Sequence, residues 1–175
     1  MRQRSLLLLL AALLPLAAAA DQCFIVGVSD GDTLTARCGQ FGAYKQIKVR
    51  LAGIDAPERK QPFGAKAKEA MSELVFGKMA ELRCSKVDRY GRSVCSAWVA
   101  PASAPDGPQT LDAGLAMLTV GMAWWYRAYA GEQTPQERGQ YEFAEFEAKT
   151  KKAGQWRDGD AVAPWEWRRQ RARSE

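Results

Sequence analysis

The chain has 175 residues, enough for one domain with a real core, and its 25 Lys and Arg against 20 Asp and Glu give a formal net charge of +5. It contains no histidine, which excludes Ser-His-Asp and Cys-His hydrolysis, His-ligated zinc and histidine-base nucleases. Acid–base work then falls to Asp, Glu, Lys, Tyr or Cys, and a metal must be held by oxygens, which points to Ca²⁺ or Mg²⁺.

The first twenty residues read as a secretory signal peptide. Arg2 and Arg4 form a basic start, Leu6 to Leu14 a short apolar run, and Ala18-Ala19-Ala20 a small-residue cleavage site. Cleavage after Ala20 is expected. It leaves a secreted or periplasmic chain without a membrane span, with the net charge lowered by those two arginines. An uncleaved anchor is the alternative, but the run is short for a bilayer.

From Cys23 the runs FIVGV and TLTARC flank SDGD, and Asp-Gly is a strong turn signal, so a hairpin is expected. GQFGAYK reads as a loop and QIKVRLAGI as a third strand. After Pro62 the period changes. Ala67, Ala70, Met71, Leu74 and Val75 recur at helical spacing in FGAKAKEAMSELVFGK, with Gly77 as the stop. MAELRCSKV and RSVCSAWVA flank DRYG as a second hairpin. Residues 101–109 form a Pro-rich surface loop.

LDAGLAMLTVGMA reads as a second helix with Asp112 as N-cap. Thr134-Pro135-Gln136-Glu137 gives a third helix its N-cap, a Pro at the first helical position and a capping-box Glu. Tyr141, Ala144 and Ala148 share a face, and Gly154 can end the helix. Residues 157–175 read as an extended basic tail that Trp165 and Trp167 pin to the body. Its Arg168, Arg169, Arg171 and Arg173 face solvent or a phosphate backbone. The order of elements fits an α+β fold: a five-stranded OB-type Greek-key barrel with three helices over residues 21–156.

None of the four cysteines sits in a C-x-x-C pair, which argues against a zinc ribbon. Pairing Cys23 with Cys38 and Cys84 with Cys95 is one of three connectivities, favoured because each pair brackets a hairpin. A loop of this size closed by a disulfide contributes about 3 kcal/mol. Buried free thiols are the alternative.

Three segments carry charges that a solvated strand would scatter. SDGDT holds Asp30 and Asp32, RLAGIDAPE holds Arg50, Asp55 and Glu58, and DRYGR holds Asp88, Tyr90 and Arg92. Each lies at a strand end or in the turn after it, so these side chains can meet at one rim of a barrel. Blander roles are open. Asp30 reads as a cap of the Asp-Gly turn and Asp88 as a turn former. Asp55 can pair with Arg50 in a half-buried salt bridge, and Glu58 can be a solvated loop acid.

DGDT, then R-L-x-x-I-D-x-P-E, then D-R-Y-G-R, then G-M-A-W-W-Y resembles the thermonuclease, or staphylococcal nuclease-like, family from about Phe24 to Trp156. The resemblance implies an OB-type barrel and Ca²⁺-dependent cleavage of DNA and RNA phosphodiesters. By position it makes Asp32, Asp55 and the backbone carbonyl of Ala56, where the family often has Thr, the metal ligands. It makes Glu58 the general base and Arg50 and Arg92 the phosphate-binding arginines. Tyr90, Tyr126 and Tyr129 fall near substrate-contacting tyrosines, although WWYRAY departs from the family's local sequence. Trp124 and Trp125 read as packing residues.

The chemistry agrees. Calcium tolerates irregular oxygen shells, a carboxylate can order or deprotonate a water, and arginines offer forked donors to phosphate oxygens. The expectation is an exported, monomeric nuclease in which Arg50, Glu58 and Arg92 can each be removed with loss of rate and the fold intact. A non-catalytic OB module for single-stranded nucleic acid is the competing class, yet Glu58 beside a phosphate would repel such a ligand. A tethered envelope protein is the third.

Overall fold

The computed structural model describes residues 21–174; the expected signal peptide, residues 1–20, lies outside the described residues. Five strands make the barrel: β1 (Asp21–Asp30), β2 (Thr33–Cys38), β3 (Lys45–Leu51) and, after a two-residue β4 (Ile54–Asp55), β5 (Met79–Val87) and β6 (Ser93–Val99). Alternation fills its interior. Ile25, Leu34, Ala36, Val49, Leu51, Ala80, Leu82, Ala97 and Val99 are all buried. The strands run antiparallel in the order β3-β2-β1-β5-β6, and β6 then pairs in parallel with β3. That last pairing closes a mixed OB-type barrel and removes its edges. Arg50 lies on the closing seam, opposite Val94.

Both expected cysteine pairs face each other directly, Cys23 with Cys38 on β1–β2 and Cys84 with Cys95 on β5–β6. Their sulfurs lie at bonding distance, and no described cysteine is free.

Helix α1 (Gly64–Val75) buries Ala67, Met71 and Val75 and packs on β1. A short β7 (Leu111–Asp112) leads into α2 (Ala113–Thr119), where Asp112 accepts the N–H groups of Gly114 and Leu115 as N-cap. This helix is shorter than its apolar run suggests, because the chain turns at Gly121 with φ +68°. Helix α3 (Pro135–Thr150) carries the full capping box of Thr134 and Glu137. It stops before Gly154, with Lys152 in the left-handed conformation.

Sequence periodicity does not signal the short ribbon that places the site. Strand β4 pairs with β8 (Trp124–Trp125), setting Ile54 opposite Trp125 and Asp55 opposite Trp124. Beneath it lies Glu145 of α3, only 1% exposed. Its carboxylate accepts the Trp125 N–H at 3.0 Å and pairs with Arg127 at 2.9 Å and Lys149 at 3.0 Å. A satisfied buried carboxylate therefore fixes the strand that fixes Asp55.

The expectation of an extended tail is overturned. Residues Pro164–Ser174 form a fourth helix, α4, folded back onto the barrel. It starts on a proline, whose missing N–H is no loss in a first turn. It has no apolar stripe for periodicity to detect. Aromatic contacts hold it instead: Trp165 stacks on Tyr126 with centroids 5.3 Å apart and meets Trp124 edge-on at 5.6 Å. Trp167 lines a small pocket with Pro62 and Phe63.

Candidate active site

The site begins with a turn that only a small residue allows. A Cβ on Gly31 would lie 2.6 Å from the Ala56 Cβ and 2.9 Å from that of Ala67. Without one, the turn between β1 and β2 packs directly on α1 and on the chain after β4. Asp30 caps this turn, accepting the Asp32 N–H at 3.2 Å. Asp32 is thereby delivered to the Ala56 N–H, which donates to its Oδ2 at 2.7 Å, while Thr33 Oγ1 donates to Oδ1 at 3.1 Å.

Arg50 joins this turn to β4. Its Nη1 donates to the carbonyls of Leu51 at 2.7 Å and Ile54 at 2.8 Å. Its Nη2 reaches Asp55 Oδ1 at 2.9 Å and Asp32 Oδ2 at 3.2 Å. A carboxylate from the β1–β2 turn and one from β4 therefore converge on one nitrogen. One guanidinium does not offset the desolvation. Burial pushes the Asp32 carboxyl up to about 7, with Arg50 opposing, repulsion from Asp30 and Asp55 adding to the rise and the Ala56 N–H reducing it. Arg50 is the guanidinium that reaches both carboxylates.

Glu58 stands on the loop into α1, clamped by Gln61, whose side-chain oxygen accepts the Glu58 N–H at 3.1 Å and whose own N–H donates to the Glu58 carbonyl at 2.8 Å. The loop is tight: Phe63 takes a left-handed φ of +68°, rare for a bulky side chain. A Cβ on Gly64 would sit 1.9 Å from the Glu58 carbonyl oxygen. Gly64→Ala is expected to force this loop outward, lowering stability by about 1–3 kcal/mol as overpacking does. Turnover should fall further than that loss of folded protein explains; denaturant melts beside rate measurements would check it.

Arg92 comes from the β5–β6 hairpin and lines the same cleft, of about 950 Å³. Its Nε and Nη2 both bond Asp88 Oδ2 at 2.8 Å, and Asp88 Oδ1 accepts the N–H groups of Tyr90 and Arg92, so Asp88 shapes the turn as expected. Tyr90 is 67% exposed beside Arg92. Tyr126 and Tyr129 also border the cleft, packed edge-to-face at 5.0 Å, but the stack with Trp165 occupies a face of Tyr126.

Two residues of the site escape sequence reasoning. Gln61, 6% exposed, is one; it also donates to the Val162 carbonyl at 2.6 Å, tying the Glu58 loop to the segment before α4. The other is Arg168 of α4, which grips Asp55 through Nη2 to Oδ2 at 2.7 Å and Nη1 to Oδ1 at 3.3 Å, and reaches Glu58 Oε1 at 2.6 Å. Burial opposes its charge, but hydrogen bonds to Asp55 and Glu58 outweigh that and hold it above the ordinary arginine value. A run of tryptophans ahead of the basic stretch was the available signal that this segment docks.

A closed OB-type barrel with acids and arginines gathered in one cleft defines a protein built to handle anionic phosphates. Comparison with known proteins narrows the class. The family model described as staphylococcal nuclease homologue matches residues 48–158. An uncharacterized endonuclease of Haemophilus influenzae is 38% identical over 95% of this chain and 83% of its own. Micrococcal nuclease of Shigella flexneri is 38% identical over 83% of this chain and 79% of its own, and protein ParB of Escherichia coli is 36% identical over 83% and 78%. The chain belongs to the staphylococcal nuclease homologue family and is a nuclease. The matched span contains Arg50, Asp55, Glu58 and Arg92, and leaves Asp32 and α4 outside.

Proposed function

We propose that the protein is an exported endonuclease that hydrolyses DNA and RNA phosphodiester bonds with the help of Ca²⁺. The observation that carries this reading is the convergence of Asp32 and Asp55, both buried, in a cleft that Glu58 and Arg92 also line. The donors available there are hard oxygens, which suit calcium; they are two carboxylates and a carbonyl, and among the described residues no group of three or more His, Cys, Asp or Glu side chains is placed to hold a metal. Asp32, Asp55 and the Ala56 carbonyl would hold the cation, whose chemistry in such a site is to neutralise phosphate charge and orient water.

The chain's own groups do the rest. Glu58 takes the proton of the attacking water. Arg92 donates to the non-bridging phosphate oxygens as charge builds on them. Arg50 holds both carboxylates in register and presents its remaining donor capacity to the phosphate. Tyr90 and Tyr129, both substantially exposed, offer surfaces for the sugar and base. Export is supported by the two half-cystine pairs, which persist in oxidising compartments. No described helix is long and apolar enough to cross a membrane.

The test is to incubate the chain from Asp21 onward with linear DNA, circular DNA and RNA, in calcium or in a chelator, and to read product lengths. Cutting of circles in calcium only, lost in Glu58→Gln, is the expected outcome. Binding without cleavage would leave a non-catalytic OB module instead.

A further inference from the structure

Both oxygens of Asp55 are already engaged by cations. Oδ2 accepts from Arg168 at 2.7 Å, and Oδ1 lies 2.9 Å from Arg50 and 3.3 Å from Arg168. The same Arg168 nitrogen that reaches Oδ1 also donates to Glu58. A carboxylate oxygen met by a guanidinium presents that lone pair to no one else. We propose that Arg168 is a built-in cation that stands in for the divalent metal at Asp55 and Glu58, and that metal binding requires its displacement. The proposal rests on the reading of Asp55 as a metal ligand.

Arg50 cannot play this part. Its side chain is only 14% exposed and donates to two main-chain carbonyls, so its departure would unmake the turn between β3 and β4. Arg168 is different: its side chain is 44% exposed, and its described bonds go to the two carboxylates. It can swing into solvent without unfolding anything. The helix behind it stays anchored, through the Trp165–Tyr126 stack and the Gln61–Val162 bond. Gln61 also clamps Glu58, so the displaceable arginine and the candidate base are tied to one loop.

The energetic sign follows from charge. A guanidinium between two carboxylates repels a second cation and occupies its ligands. Linkage is reciprocal, so a metal that must evict Arg168 weakens the Arg168 contact by the same factor that Arg168 weakens the metal. Arg168 is thus a brake on metal affinity, which keeps the site charge-balanced while calcium is scarce.

The test is calorimetric titration of calcium, without substrate, into the chain from Asp21 onward and its Arg168→Gln, Arg168→Lys and Asp32→Asn variants. Melts run alongside show that each variant is folded. Arg168→Gln is expected to bind calcium about tenfold tighter than the parent. Arg168→Lys, which keeps the charge but loses the two-pronged grip, should fall between them. Equal or weaker binding by Arg168→Gln overturns the proposal. If that variant does not fold, Arg168→Lys decides, with unchanged affinity overturning it. Calcium binding that Asp32→Asn abolishes but Arg168→Gln leaves unchanged would sink the brake alone. No calcium binding by any of these chains would sink the metal reading and the brake together.

Discussion

Replacing Arg50 with alanine is expected to abolish turnover and to destabilise the fold by about 3–5 kcal/mol, because it leaves two buried carboxylates facing each other without their shared partner. Arg92→Ala should lose activity by a factor on the order of 10²–10³, as removal of one preorganised donor does, while the melt barely moves. The difference lies in where each guanidinium's bonds go. Arg50 holds Leu51, Ile54, Asp32 and Asp55 together at the seam of the barrel. Arg92 has a single carboxylate partner, Asp88, at a partly exposed hairpin end, and such pairs contribute roughly 0–1 kcal/mol. The simpler expectation from sequence is that either arginine can be removed with the fold intact; the bonds of Arg50 predict otherwise for that residue. Urea midpoints and kcat/KM on DNA for both variants decide it. An Arg50→Ala protein as stable as its parent would show that the carboxylate pair does not need Arg50 as its counter-charge. A fully active Arg92→Ala would take that residue out of phosphate binding.

Strand alternation, the Asp-Gly turn, the cysteine positions and the capping box of α3 were legible because each is a local signal read over a few residues. The convergence of DGDT and RLAGIDAPE was legible for a related reason: charges inside an apolar strand run have to go somewhere. What escaped was set by contacts distant in sequence. Strands β4 and β8 are two residues each, too short for any period. Helix α4 has a polar composition and is held by aromatic contacts of Trp165 rather than by an apolar stripe. Trp165 and Trp167 signal that the segment docks, but nothing local to residues 164–174 says that docking brings Arg168 to Asp55 and Glu58. Gln61 was missed because a buried amide is defined by its partners, here the Glu58 loop and Val162.

Asp32→Asn is expected to yield a protein that is inactive yet more stable than its parent at pH 8 when calcium is withheld. Burial raises the Asp32 carboxyl from an ordinary 3.8 to about 7 in the fold. Between those values the folded chain holds a proton that the unfolded chain releases. Its stabilising contribution is therefore complete below about 3.8 and lost as pH rises through about 7. Above that, the ionised group sits buried with Arg50 shared between it and Asp55, at a cost on the order of a few kcal/mol. Asparagine keeps the shape and an oxygen for the Ala56 N–H, but never ionises. With no histidine in the chain, few other side chains titrate between pH 5 and 8 to obscure the comparison. In chelator, the parent's melting temperature should fall from pH 5 to pH 8 while that of Asp32→Asn stays nearly flat. Calcium should restore the parent at pH 8 and do little for the variant. Parallel slopes for the two proteins would mean that Asp32 is not the strained group, and an active Asp32→Asn would remove it from the chemistry.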